Sequence, residues 1–158
     1  MMIDEKVLEE YYGEIANKLD EMIPVEWTKI AMLAEDLGTS CAAGVYFFTK
    51  DNKIYYNHNI PEDFNVDEEV YRKILDELLE INGRLREEFI NFGIQPWKLL
   101  SFILNEDWSF KLNYEYEIDE DIDYMERKII WAYEELGIMP EGEFSKSILE
   151  EYLEEKEK

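Results

Sequence analysis

Residues able to do chemistry are few in this 158-residue chain and poorly placed for it. His58, in Tyr56-Asn57-His58-Asn59-Ile60-Pro61, is the only histidine, which excludes a two-histidine metal site. A Cys–His nucleophile pair would need Cys41, the only cysteine, and that residue falls inside the apolar run Cys41 to Phe48. Cys41 is therefore expected to pack as a small hydrophobe, and His58 to anchor its loop by hydrogen bonds. A single cysteine makes neither a disulfide within the chain nor a cysteine-based zinc site, which favours a reducing compartment. The sequence has no Gly-rich phosphate loop and no nucleophile elbow.

Carboxylates are the abundant reactive group: 39 Asp and Glu stand against 16 Lys and Arg, a net charge of −23. Asp119, Asp121 and Asp123 match the first three acidic positions of an EF-hand loop. Tyr124 and Ile130 then occupy the places that require Gly and Glu, so the segment is not such a loop and at most offers a weak, nonspecific cation site. With so many acids, no single pair is marked for acid–base work. No cofactor is expected, and a carboxylate-dependent hydrolase is the lesser alternative. The densest acidic stretch runs from Tyr114 to Tyr124, where Glu115, Glu117, Asp119, Glu120, Asp121 and Asp123 interleave with aromatic and aliphatic side chains. Two readings fit it. The acids could steer and pair with an Arg/Lys-rich surface on a protein partner, or they could be a solvated loop plus acids placed well for a helix dipole.

A chain this acidic and poor in aromatics would be disordered, yet 46% of this one is hydrophobic and 15% aromatic. It is expected to fold as one domain, residues 1–158, with its like charges outside. A folded polyanion suits a basic protein partner and repels nucleic acid and anionic membranes. The blander alternative is an acidic scaffold or regulatory interaction module whose charge serves solubility. The start, Met1-Met2-Ile3-Asp4-Glu5-Lys6, is unlike a signal peptide, and the longest apolar run falls well short of the ~20 residues that cross a bilayer. The expected protein is soluble and cytoplasmic; the sequence specifies no oligomeric state.

The elements that must carry these groups follow from hydrophobic spacing. Leu8, Tyr12, Ile15, Leu19 and Met22 make one helical stripe that Pro24 ends. Three strands joined by hairpins follow, over Trp27 to Glu35, Cys41 to Phe48 and Ile54 to Tyr56, the second apolar on both faces and expected at the sheet's centre. A loop with Pro61 leads to a capping box at Asn65-x-x-Glu68, then a long helix with Val70, Ile74, Leu78, Ile81, Leu85 and Phe89 on one face. Gly83 inside it suggests a close approach or a bend. Trp97 to Leu104 and Trp108 to Glu117 form a second hairpin, the last strand placing Trp108, Phe110, Leu112, Tyr114 and Tyr116 toward the core. Asp123 opens a helix that Gly137 caps, and Ser145 to Glu155 make the last one. The result is the α+β class: an antiparallel sheet of about five strands, a helix-hairpin unit occurring twice, packed against helices, with two C-terminal helices.

Several segments together carry a resemblance that spans nearly the whole chain. They are Glu14-Ile-Ala-Asn-Lys-Leu-Asp-Glu-Met-Ile-Pro24, Glu26-Trp27, His58-Asn59-Ile60-Pro61, Leu85-Arg-Glu-Glu-Phe89, Gln95-Pro96-Trp97 and Glu126-Arg-Lys-Ile-Ile-Trp-Ala-Tyr-Glu-Glu-Leu-Gly-Ile-Met-Pro140. In this order and spacing the chain resembles the YezG/EsaG immunity-protein family. The resemblance implies a non-catalytic antitoxin that binds and neutralises a cognate nuclease toxin of the LXG, type VII-secreted kind inside the producing cell. It supplies no toxin-contacting residues: Ile15, Pro24, Trp27, Pro61, Trp97, Trp131 and Pro140 read as core and turn positions. A nuclease holds a polyanion in a basic groove, and a folded polyanion can compete for that surface.

Overall fold

The computed structural model describes residues 3–157; Met1, Met2 and Lys158 lie outside the described residues. Along the chain run α1 (Glu5–Met22), β1 (Lys29–Asp36), β2 (Cys41–Phe48), β3 (Ile54–Tyr56), a 3₁₀ turn (Asn57–Asn59), α2 (Ile60–Phe64), α3 (Glu68–Asn91), β4 (Leu99–Asn105), β5 (Phe110–Glu115), α4 (Tyr124–Leu136) and α5 (Glu143–Glu157). The strands form one antiparallel sheet in the order β3-β2-β1-β4-β5. The expected α+β fold is therefore present. Two compact units divide it, Met1–Ile118 and Asp119–Lys158.

In the first unit, register builds the core. Ile30, Met32 and Ala34 of β1 stand opposite Phe47, Val45 and Ala43 of β2, and opposite Leu104, Phe102 and Leu100 of β4. All nine are buried on one face. Against it pack Ile15, Leu19 and Met22 of α1, and Leu78, Ile81, Leu85 and Phe89 of α3. Removing a Leu- or Ile-sized side chain from water contributes roughly 1.5–3 kcal/mol each, so this face dominates the unit's stability. Ala31 and Leu33, on the other face of β1, are buried too. β1 is the middle strand, where β2 was expected, because it pairs along nearly its whole length with both β2 and β4; β2 lies one place out, between β1 and the three-residue β3.

Other boundaries shift for local reasons. The Pro61 segment is the helix α2, with the proline in its first turn, where a missing N–H costs nothing. Asn65 is not the cap of α3. It closes α2 in a left-handed conformation (φ 53°), and Asp67 caps α3, accepting from the amides of Glu69 and Val70. In the first turn of α3 Val70 is exposed, and Tyr71, one position on, takes the core place expected of Val70. At Gly83 a Cβ would meet only the Asp36 carboxylate, at 3.8 Å, an ordinary contact, so no close approach requires glycine there.

The second unit is a helical hairpin. Asp123 caps α4, Gly137 ends it in the left-handed region (φ 68°), and Ile129, Ala132 and Leu149 are its buried apolar residues. The Tyr152 hydroxyl donates to Glu134, whose carboxylate also lies 3.5 Å from Lys156 Nζ, tying α5 to α4.

Candidate functional site

All six acids singled out by their density are exposed. Glu115 ends β5, and its carbonyl accepts the Lys98 amide at 2.8 Å. Glu117 accepts from Gln95 Nε2 at 3.4 Å and lies 4.0 Å from Lys98 Nζ. These two acids finish the first unit. In the second, Asp119 Oδ1 accepts the Asp121 amide, forming a tight turn. Arg127 donates to the carbonyls of Asp119 and Ile122, both at 2.9 Å, so the turn is braced by backbone contacts and its carboxylates stay in water with Glu120. Asp123 has a structural task, since its Oδ1 accepts the Glu126 amide as the N-cap of α4. Among the described residues no group of three or more His, Cys, Asp or Glu is arranged to hold a metal ion.

His58 is exposed, but Nδ1 lies 3.2 Å from the Tyr71 hydroxyl, and that hydroxyl accepts from Asn57 Nδ2 at 3.0 Å. Asn57 is buried; its Oδ1 accepts the Val45 amide and its Nδ2 also reaches the Ala43 carbonyl. The Asn57–Tyr71 network thus fixes the 3₁₀ turn on β2, with His58 at its rim. Burial drives the Tyr71 phenol up to about 12. Cys41 departs from expectation: it is exposed, because it is the first residue of β2, paired with Asp36 at the sheet's end beyond the core. Partial burial, then the charges of Asp36 and Asp76, raise its thiol above the ordinary value, which disfavours the nucleophilic thiolate.

A second feature was hidden in the sequence. Trp27 and Trp108, expected to open strands, both lie outside them. Their rings meet edge to face, with centroids 5.9 Å apart. Topology brings them together: Lys29, the first residue of β1, pairs with Phe48 at the end of β2 and with Asn105 at the end of β4. The turns after β2 and β4 therefore flank the segment that leads from α1 into β1. They enclose an open cleft of about 490 Å³ lined by Asp20, Glu26, Trp27, Lys50, Glu106 and Trp108, together with Ile23 to Val25. Trp27 Nε1 donates to Asp20 Oδ1 at 2.9 Å, holding that ring in place. Trp108 is 45% exposed and sits at φ 70°.

On this α+β scaffold the acidic segment and the aromatic cleft are the surface features that stand out, and comparison with known proteins gives the class, that of immunity proteins. A family model described as Immunity protein YezG-like matches residues 8–150, and the chain belongs to that family. The protein named Immunity protein YezG from Bacillus spizizenii is 36% identical over 154 residues, covering 96% of each chain. Immunity protein YezG from Bacillus subtilis is 36% identical over 149 residues, covering 92% of this chain and 99% of its own. The type VII secretion system protein EsaG of Staphylococcus aureus is 31% identical over 151 residues, covering 90% of each.

Proposed function

We propose that this chain is a non-catalytic immunity protein that binds a cognate, type VII-secreted nuclease toxin of the LXG kind and neutralises it in the cytoplasm of the producing cell. Membership of the YezG-like family over residues 8–150 carries the reading. Because that match crosses the boundary between the two units, residues 1–158 are taken as one functional immunity domain. The charge of −23 supplies the physical logic: a folded polyanion is drawn to the basic groove in which a nuclease holds nucleic acid, and is itself repelled by nucleic acid and anionic membranes. No helix among the described residues is long and apolar enough to cross a membrane. Glu115, Glu117, Asp119, Glu120 and Asp121 are the proposed acidic contacts, with Asp123 contributing mainly by holding α4.

The deciding experiment mixes purified chain with the nuclease domain of the toxin encoded beside its gene and follows DNA and RNA cleavage. Stoichiometric loss of cleavage is expected. Undiminished cleavage at a several-fold excess of the chain would overturn the reading.

A further inference from the structure

We propose that the Trp27–Trp108 cleft is a docking site for an arginine side chain presented by a basic protein partner. The argument begins at Trp108. Among the described residues, three other than glycine have positive φ: Asn52, Asn65 and Trp108. Asparagine tolerates that region; a bulky aromatic does not. Trp108 closes the β4–β5 hairpin, its amide donating to the Asn105 carbonyl at 2.8 Å, in a left-handed position that hairpins usually give to glycine. The turn thus carries backbone strain and leaves a large indole half in water, a combination that folding alone does not favour. What the indole gains is position: it packs edge to face against Trp27, and the two rings together form an aromatic wall of the cleft.

The charge around the rings selects the occupant. Asp20, Glu26 and Glu106 line the cleft against one cation, Lys50, which lies 3.3 Å from Glu26. The cleft also adjoins the carboxyl end of α1, whose last turn carries Asp20 and Glu21 and no base. Glu21 is already paired with Lys18 at 2.7 Å, but Asp20, which lines the cleft, opposes the helix dipole, and an arriving cation relieves that interaction. A guanidinium fits better than an ammonium, since its flat face stacks on indole while its edge donates to carboxylates in pairs. Tryptophan opposite arginine is also the usual composition of an energetic centre in a protein interface.

This inference rests on the proposed binding of a basic toxin for the partner's identity, although the cleft can be tested without the toxin. The full-length ¹⁵N-labelled chain is titrated with the capped peptide Arg-Arg-Arg, and with its citrulline counterpart as an uncharged control. Saturable movement of the Trp27 and Trp108 indole N–H signals is expected, with those of Trp97 and Trp131 still. W108G, which gives the turn its preferred residue, should fold at least as well and bind the peptide at least about tenfold more weakly. Shifts confined to residues 115–123, or equal binding by W108G, would overturn the site. In a second arm, the toxin's nuclease domain replaces the peptide. If the native chain binds it and W108G binds equally well, the cleft is not the toxin's contact, while the immunity reading stands. If the native chain does not bind it, that reading falls, and the peptide alone decides the cleft.

Discussion

The hydroxyls of Tyr12 and Tyr114 lie 2.7 Å apart, one on α1 and the other on β5. This bond fastens the edge strand β5, which ends at Glu115, to the helical layer, and Phe89 of α3 meets the Tyr114 ring edge to face. Burial raises both phenols above their ordinary value, as it does Tyr46, to about 12.

Stability at alkaline pH follows from that burial. In the unfolded chain these tyrosines ionise near pH 10.0, whereas in the folded chain they keep their protons to higher pH. Above pH 10 the folded state therefore binds more protons, and stability falls as pH rises. Urea midpoints at pH 9 and pH 11 check this; a midpoint unchanged or higher at pH 11 contradicts it.

Lys128 acts in the opposite sense. Burial in α4 pulls its ammonium down to about 8 from 10.5. Between about pH 8 and 10 the unfolded chain holds more protons at this site than the folded one, so this residue's contribution makes stability rise across that window and stay flat below it. Lys128→Met should raise the urea midpoint at pH 7, with the advantage shrinking toward pH 10. An advantage that grows with pH would show the sign to be wrong.

Neutralising the acidic segment should separate folding from protection. Glu117→Gln, Asp119→Asn, Glu120→Gln and Asp121→Asn together leave the Asp123 cap in place, and exposed ion pairs such as Lys98–Glu117 contribute at most about 1 kcal/mol. The melting temperature should hardly move, while protection of cells expressing the toxin at a limiting dose of the variant should drop. Asp123→Ala, by contrast, removes a cap and should cost about 1 kcal/mol of stability. Full protection by the quadruple variant would remove this segment from the interface.

Trp97 is fully buried, and its Nε1 has no hydrogen-bond partner. Trp97→Ala should cost roughly 3–5 kcal/mol through the cavity it leaves. Trp97→Phe should cost much less than that size ratio suggests, because it also removes an unsatisfied buried donor. Trp131 is half-buried, so Trp131→Ala should be milder than Trp97→Ala. Chemical denaturation of the three variants ranks them; parity of Trp97→Ala with the native protein would place that ring outside the core.

Patterns of period 3.6 and 2 determined the helices and strands: the stripe Tyr12, Ile15, Leu19, Met22 and the runs Cys41 to Phe48 and Ile54 to Tyr56 recur in the structure with nearly the expected bounds, because burial of one face acts locally along an element. The density of carboxylates from Glu115 to Asp123 and the cap at Asp123 were equally legible, each being a property of consecutive residues. Strand order was not. That β1 rather than β2 is central depends on pairing between residues as far apart as Ile30 and Leu104, which periodicity does not encode. For the same reason Cys41 read as core until its place at the sheet's end exposed it, and Trp27 and Trp108 read as strand residues on a buried face. Only the register that sets Lys29 opposite both Phe48 and Asn105 brings the two turns beside the end of α1 and closes the aromatic cleft.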